Sequence, residues 1–145
     1  MKFSCSVEIN LPKNKVAELF NNPDNLKEWQ DGFLDIEHLS GTPGTKGAKS
    51  KMIYKIGKRE MILEETILVN NLPDEFTGSY EAKEMKNTMK NIFISTSENT
   101  TCWDAELEYL EFRGFMPKLM AKLMPGMFKN QTQKWLNQFK IFAEK

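Results

Sequence analysis

The sequence predicts an α+β domain in which a curved antiparallel sheet packs against one long C-terminal helix. Seven segments alternate apolar and polar residues, which is the period of a half-buried strand, and two short helical segments separate the first strand from the other six. Residues 115–144 instead carry apolar residues at helical spacing. A curved sheet with a single long helix has too few layers to fill its own concavity, so we expect a pocket between the sheet and the helix.

Length and composition indicate a single globular domain, residues 1–145. The chain is 40% apolar and 28% charged, and a chain of this length buries roughly two-thirds of the surface that it exposes when unfolded. Its 20 basic and 20 acidic residues cancel. This balance argues against nucleic acid as a partner, because nucleic-acid binding rests on a clustered basic surface. We expect a monomer or a weak homodimer.

The sequence carries no signal for membrane insertion, secretion or metal binding. No apolar run reaches the ~20 residues that span a bilayer, and the chain begins with a strand pattern instead of a signal peptide, so we expect no transmembrane segment and a cytoplasmic location. Cys5 and Cys102 are expected to be reduced, with a disulfide as the alternative. His38 is the only histidine and has no partner at ligand spacing. We therefore expect it at the surface or rim, with no metal and no cofactor.

The N-terminal segment predicts one strand followed by two short helices. The strand is expected at residues 2–10, where every second residue is apolar. Pro12 suits the first turn of a helix, which Pro23 ends. Asp24 can then cap a second short helix, in which Leu26 and Trp29 face inward. These two helices are expected to cover part of the sheet.

Six further strands follow, with two features between them that have competing interpretations. The strands are expected at residues 33–39, 48–57, 58–70, 75–84, 87–98 and 101–112. Residues 41–47 contain three glycines; a phosphate-binding loop needs a helix after it, and the strand that follows here favours a structural turn. One basic stretch is either a solvated strand face or a site for a phosphate or an anionic headgroup. It comprises Lys46, Lys49, Lys51, Lys55, Lys58 and Arg59.

The alternation within each strand predicts which residues face the helix. Because side chains alternate between the two faces of a strand, the more apolar set of each strand is expected to point inward. The inward set comprises Met52, Tyr54, Ile56, Met61, Leu63, Glu65, Ile67, Val69, Phe76, Gly78, Tyr80, Ala82, Trp103, Ala105, Leu107 and Tyr109. The strand around Phe93 is ambiguous, because Ile92 and Ile94 are apolar too.

The C-terminal helix is expected to consist of two unequal pieces. Pro125 and Gly126 lie inside its apolar stripe, and a proline there removes a backbone hydrogen bond and crowds the preceding turn. Four methionines surround this break, at Met116, Met120, Met124 and Met127. They either fill the core or form a movable lid that faces a ligand, since methionine adapts to irregular apolar shapes.

Glu65, Tyr54 and Tyr80 are the candidates for chemistry. An inward carboxyl group in an apolar cavity loses hydration, which raises its pKa and suits it to general acid or base work. A tyrosine hydroxyl could polarise a carbonyl beside it. The alternatives are a structural hydrogen bond for Glu65 or an outward orientation, because one acid without a positioned partner is weak evidence for catalysis.

The whole pattern resembles the helix-grip domains of the START-like (SRPBCC) superfamily, and most of all its polyketide cyclase/dehydratase and lipid-transport group. The resemblance rests on residues 7–12 running into 16–20, on Pro23 with Leu26 and Trp29, on the glycine loop, and on Leu72-Pro73 before Phe76. It implies a seven-stranded antiparallel sheet that grips the long helix around a ligand cavity. The residues that would line this cavity are Met52, Tyr54, Leu63, Glu65, Ile67, Phe76, Tyr80, Trp103, Leu107, Met116, Leu119, Met120 and Leu123.

Three hypotheses for function remain open at this point. The first is a binder or carrier of a hydrophobic small molecule that is lipid-, polyketide- or aromatic-like, which requires an apolar cavity with one or two polar groups. The second is a cyclase or dehydratase acting on a carbonyl-bearing substrate, which requires Glu65 and a tyrosine within hydrogen-bond reach. The third is a protein-interaction module like the chaperone activators of this superfamily, which predicts a filled cavity and an exposed apolar patch.

Overall fold

The computed structural model describes all 145 residues, and its elements follow the predicted order. They are β1 (Lys2–Ile9), α1 (Lys13–Asn21), α2 (Leu26–Trp29), β2 (Phe33–Ser40), β3 (Lys49–Ile56), β4 (Arg59–Asn71), β5 (Glu75–Glu81), β6 (Met85–Ser97), β7 (Thr100–Phe112), α3 (Phe115–Leu123) and α4 (Gly126–Ala143). A 3₁₀ turn at Pro23–Asn25 precedes α2. The predicted fold class, an α+β helix-grip domain, is confirmed.

All seven strands belong to one antiparallel sheet. Their spatial order is β1-β7-β6-β5-β4-β3-β2, so consecutive strands from β2 to β7 are neighbours and β1 pairs with β7. The tight turn at Gly57 and Lys58 joins β3 to β4, as the sequence predicts. The strand that the sequence leaves ambiguous is settled by exposure, because Phe93 is 2% exposed and Ile94 is 50% exposed.

α1, α2 and the C-terminal half of α4 pack over one end of the inner face of the sheet. α4 packs on β1 and on α2, whereas α1 lies over β6 and β7. Trp103 has no exposed surface at the centre of this core, with its ring centroid 5.1 Å from that of Phe139 and 5.6 Å from that of Trp29. Burying each large apolar side chain contributes about 1.5–3 kcal/mol, so this end holds most of the folding energy.

The predicted break in the C-terminal helix is confirmed. Met124 leaves the helical region, with φ −134° and ψ 56°, and the chain resumes as α4 at Gly126. The two pieces are buried differently. α4 buries Thr132, Leu136, Phe139 and Ala143, whereas α3 has no fully buried residue and packs against β7. α3 is therefore a short, loosely held helix at the opposite end of the sheet from α1.

Two residues that the alternation predicts to be inward are exposed. A register shift between Ile67 and Val69 adds one residue to β4 opposite β5, so Val69 loses the inward parity and is 38% exposed. Ile56 shares the parity of Tyr54, but it is the last residue of β3 and is 56% exposed.

The basic stretch on β3 lies opposite acids of β4. Lys51 pairs in register with Glu64 and Lys55 with Glu60, and the Lys49 ammonium lies 3.0 Å from the Glu64 carboxylate. This neutralisation favours the solvated strand face over the anion site. Cys5 and Cys102 are both free.

Candidate functional site

The inner face of the sheet is incompletely covered at the end that carries α3. Inward side chains at the other end are buried, whereas several at this end keep partial exposure although they also face the core. The half-buried group comprises Met61, Leu63, Glu65, Tyr80, Asn87, Met89 and Tyr109. A concave, mainly apolar surface therefore remains between the sheet and the helical layer.

Hydrogen-bonding side chains form one row across this surface. The strand register pairs Glu65 of β4 with Tyr80 of β5, Tyr80 with Asn87 of β6, and Asn87 with Tyr109 of β7. Residues paired in this way point to the same face of a sheet and lie about 5 Å apart. Four polar side chains thus lie side by side on the half-covered part of the inner face, and we call them the polar row.

Glu65 and Tyr80 are joined by a direct hydrogen bond. The Tyr80 hydroxyl donates to Oε2 of Glu65 at 2.9 Å. Burial raises the pKa of the Glu65 carboxyl above its ordinary value of 4.5, and the Tyr80 hydrogen bond offsets part of this rise. The pKa of Tyr80 lies well above 10, mainly because of burial and further because of the Glu65 charge. Tyr80 is therefore a donor in this pair at every physiological pH.

Gly78 makes room for this arrangement. The Tyr80 ring folds back along β5 over Gly78, where a Cβ atom would lie 2.8 Å from the Tyr80 hydroxyl oxygen. Such a distance is closer than van der Waals contact allows, so any side chain at this position would displace the ring. The absence of a side chain at Gly78 thus positions the tyrosine against Glu65.

Tyr54, the other candidate tyrosine, lies in the packed core behind the row. Its hydroxyl donates to Oε1 of Gln30 at 2.6 Å, and its ring stacks on Trp135 with centroids 5.7 Å apart. Burial raises its pKa, and the Glu65 charge adds to the effect. The structure thus brings Tyr80, and not Tyr54, into hydrogen-bond contact with Glu65.

The remaining strand residues predicted for the cavity divide into two groups. Leu63 lies on the half-covered surface beside Glu65 and Tyr80. Leu107 is buried at the edge of the same surface, where it pairs with Met89. The others are packed within the core and are less than 9% exposed; they are Met52, Ile67, Phe76 and Trp103. α1, α2 and α4 pack against the part of the core that holds these four.

The four predicted residues of the C-terminal helix also divide. Leu119 and Met120 are half-buried, whereas Met116 is 57% exposed and Leu123 is 67% exposed. The expectation that all four point inward assumes one continuous stripe. All four lie on one apolar face of α3, and the protein covers only part of that face, so Met116 and Leu123 stay exposed.

Sequence reasoning missed several residues of the site. Asn87 and Met89 lie on β6, whose face is ambiguous in the sequence, and the pairing of Tyr80 with Asn87 becomes visible only with the strand register. Tyr109 has the inward parity, but its place beside Asn87 depends on the register between β6 and β7. Its ring also packs on Phe128 of α4 at 5.0 Å, and burial raises its pKa to about 12.

Comparison with known proteins connects this geometry to a fold, although no protein-family model and no curated protein matches the sequence. The Zhui aromatase/cyclase from Streptomyces sp. R1128 is similar in structure, with a TM-score of 0.83 and 10% identity over 99% of this chain and 93% of that one. A START superfamily protein from Mycobacterium smegmatis has a TM-score of 0.74 and 12% identity, over 93% of both chains. The di-domain ARO/CYC StfQ of the steffimycin biosynthetic pathway has a TM-score of 0.78 and 14% identity, over 98% of this chain and 45% of that one.

These similarities define the class of fold. The protein has the START-like helix-grip fold, shared with an aromatase/cyclase, a di-domain ARO/CYC and a START superfamily protein. At identities of 10–14% the comparison extends to the fold alone.

Proposed function

We propose that the protein binds a hydrophobic small molecule that carries hydroxyl or carbonyl groups, in the concavity between the inner face of the sheet and α3. The observation that carries this proposal is the polar row on a half-covered apolar face. Ligand sites are typically concave and mainly apolar, with a few convergent polar groups that fix orientation. Met61, Leu63 and Met89 supply the apolar surface around Glu65 and Tyr80.

The chemistry of the row indicates the kind of ligand. The Glu65 carboxylate accepts a hydrogen bond from Tyr80 at Oε2, which leaves Oε1 free to accept one from a ligand hydroxyl. The Asn87 amide can donate to a carbonyl and accept from a hydroxyl. A ligand with oxygens along one edge and an apolar body, such as a lipid-, polyketide- or aromatic-like molecule, fits both parts of this surface.

The mobile element of this proposal is α3. It has no fully buried residue, and the break at Pro125 separates it from the well-packed α4. A helix held this loosely can open with little loss of packing, which suits a carrier that takes up and releases a ligand. Met120 and Leu119 would then contact the ligand from above.

A second candidate function, a cyclase or dehydratase, is favoured by the Glu65–Tyr80 hydrogen bond alone. Glu65 has a raised pKa, as a general base near neutral pH requires, and Tyr80 has a hydroxyl within its reach. In such a reaction Glu65 would remove a proton beside a ligand carbonyl while Tyr80, rotated away from Glu65, donated a hydrogen bond to the carbonyl oxygen. Two structurally similar proteins are described as an aromatase/cyclase and a di-domain ARO/CYC.

The test of binding is native mass spectrometry of the protein purified from its own cells, followed by extraction of the bound molecule. We expect a stoichiometric hydrophobic ligand, and we expect its loss in Met89→Trp, whose larger side chain would fill the concavity. Ile94→Trp, on the outer face of the same strand, is the matched control and should keep the ligand. A wild-type protein that is empty, and that also fails to bind the neutral apolar dye N-phenyl-1-naphthylamine, would contradict the proposal.

Glu65→Gln separates the carrier from the enzyme. For a carrier, the variant should still co-purify with the same ligand, because glutamine keeps the shape and accepts the Tyr80 hydrogen bond. For an enzyme, the variant should accumulate an unreacted precursor that differs in mass from the ligand of the wild type. The extracted molecules therefore decide between the two candidates.

A further inference from the structure

α3 and the linker to α4 carry large apolar side chains that nothing covers. Phe115 is 77% exposed, Leu123 67%, Met116 57%, Met124 54% and Met127 36%. Phe115, Met116 and Leu123 lie within about 100° of one another around the helix axis, so the three exposed side chains share one face. The linker also borders an open depression of about 590 Å³ that includes Met124, Met127 and Gln131. Monomeric soluble proteins rarely leave a continuous apolar surface of this kind without a partner.

The charged residues of this segment of the chain are all positive. No acidic residue occurs between Glu111 and Glu144, a segment with six basic residues, although the whole chain has equal numbers of each sign. Lys118, Lys122 and Lys129 form no ion pair. The other three cations, Arg113, Lys134 and Lys140, are each paired with a carboxylate. Lys118 and Lys122 border the Phe115–Leu123 face directly, because they precede Leu119 and Leu123 by one residue.

Neighbouring elements do not neutralise these lysines. α3 packs against β7, whose nearest acid in sequence, Glu111, is held by the Arg113 guanidinium at 2.7 Å. Glu81, at the end of β5, is bound by the same guanidinium at 2.6 Å. The three unpaired lysines therefore present their charge together with the exposed apolar face.

We propose that this surface, Phe115 to Met127 with its flanking lysines, docks on an anionic lipid bilayer. Short amphipathic helices with Lys on the polar side and Phe or Leu on the other insert their apolar face to the depth of the headgroups, and anionic lipids attract the lysines. α3 is nine residues long, and no helix of the protein is long and apolar enough to span a membrane, so the helix lies on the surface.

Charge complementarity favours a bilayer over a second copy of the chain. A twofold interface places the same patch on both partners, so it would bring the lysines of the two copies together. A bilayer offers both a layer for the apolar side chains and many anionic headgroups for the lysines. The proposal does not depend on whether the concavity binds a ligand, because it uses Phe115, Met116 and Leu123, which are exposed in this structure.

The experiment is vesicle co-sedimentation of the full chain with phosphatidylcholine vesicles, with and without phosphatidylserine. We expect binding to the vesicles that contain phosphatidylserine and little to those without. Each lysine near an anionic surface changes affinity about fivefold, so replacing Lys118, Lys122 and Lys129 by alanine should weaken binding by about a hundredfold. Phe115→Ser with Leu123→Ser should abolish binding even at low salt.

Matched controls distinguish this surface from general charge and apolarity. Lys27, Lys46 and Lys145 are exposed, form no ion pair and lie elsewhere, so their replacement by alanine should leave binding within about twofold. Leu39→Ser with Ile94→Ser removes exposed apolar residues at other sites.

Three results would overturn the proposal. They are equal binding to both kinds of vesicle, equal losses in the surface and control variants, and absence of binding. If the protein does not bind vesicles, analytical ultracentrifugation can detect a dimer. A dimer that Phe115→Ser abolishes would show that this surface contacts a second copy of the chain. Capture of an acidic protein that the lysine variants release would assign it to a protein partner.

Discussion

The residues that define the candidate site are individually ordinary and become informative through their pairing. The alternation along β4 predicts that Glu65 points inward, and its contact with Tyr80 agrees with that prediction. The sequence cannot predict which tyrosine meets it, because that depends on the register between β4 and β5 and on the space above Gly78. Alternation along one strand predicts a face, whereas a site requires the register across several strands.

Glu65 should make the stability of the fold depend on pH. Its raised pKa means that the folded state binds the proton more tightly than the unfolded chain, whose carboxyl has the ordinary value of 4.5. The contribution is fully present below 4.5 and is lost as the pH rises through the folded-state pKa, at about 1.4 kcal/mol per pH unit. Glu65→Gln should therefore be more stable than the wild type at neutral pH and equal to it below pH 4.5, as measured by urea unfolding. Glu60→Gln, an exposed change on the same strand, is the control; a constant difference between Glu65→Gln and wild type at all pH values would contradict this account.

Gly78 should act on Glu65 through Tyr80. Gly78→Ala would place a methyl group against the Tyr80 hydroxyl and break the 2.9 Å hydrogen bond that lowers the Glu65 pKa. The pKa of Glu65, followed by the ¹³C shift of its carboxyl group, should rise in Gly78→Ala and by a similar amount in Tyr80→Phe. Gly126→Ala, where the added Cβ meets nothing within 4 Å, should leave it unchanged. A rise in Tyr80→Phe without one in Gly78→Ala would show that Gly78 does not position the ring.

Among the elements, α3 and α4 come from one continuous apolar pattern but are buried to different extents. The apolar stripe of residues 115–144 predicts a helix and the position of its break, and both are confirmed. The stripe does not predict that Met116 and Leu123 stay exposed, because tertiary packing decides how much of the α3 face is covered. A pattern of period 3.6 locates a face, but it assigns that face to the core only while the helix is continuous.

Leu136 and Leu123 test this difference with one chemical change. Leu136 has no exposed surface, so Leu136→Ala should lower the free energy of unfolding by about 3–5 kcal/mol through lost burial and the cavity left behind. Leu123→Ala, at a position 67% exposed, should change it by less than about 0.5 kcal/mol. Urea unfolding of both variants gives the comparison, and similar losses would mean that Leu123 is buried in solution.

Backbone dynamics should separate the same two helices. α3 has no fully buried residue, so its amides should exchange with solvent through local opening, whereas those around Leu136 and Phe139 in α4 should need global unfolding. Hydrogen–deuterium exchange followed by mass spectrometry measures both helices in one experiment. Equal protection of α3 and α4 would exclude α3 as the mobile cover of the concavity.

In the whole molecule, the helices cover one end of the inner face of the sheet completely and the other end, toward α3, only in part. Trp29, Trp103 and Phe139 close the filled end with edge-to-face contacts, and the polar row lies on the half-covered surface toward α3. Element order and alternation were sufficient to predict the fold and its seven strands. They could not separate Trp103 and Met52, in the packed core, from Leu63 and Tyr80, on the half-covered surface, because parity does not reveal how far along the sheet the helices extend.

The most direct measurement is an NMR titration of protein labelled with ¹³C at the methionine methyl groups, using a hydrophobic hydroxyl-bearing ligand such as the molecule extracted from the protein. Met61, Met89 and Met120 surround the proposed site, Met52 lies in the packed core, and Met124 lies on the outer surface. The account predicts saturable shifts at the first three and little change at the other two. Shifts confined to Met124, or no saturable shift at Met61 and Met89, would contradict a ligand site between the sheet and α3.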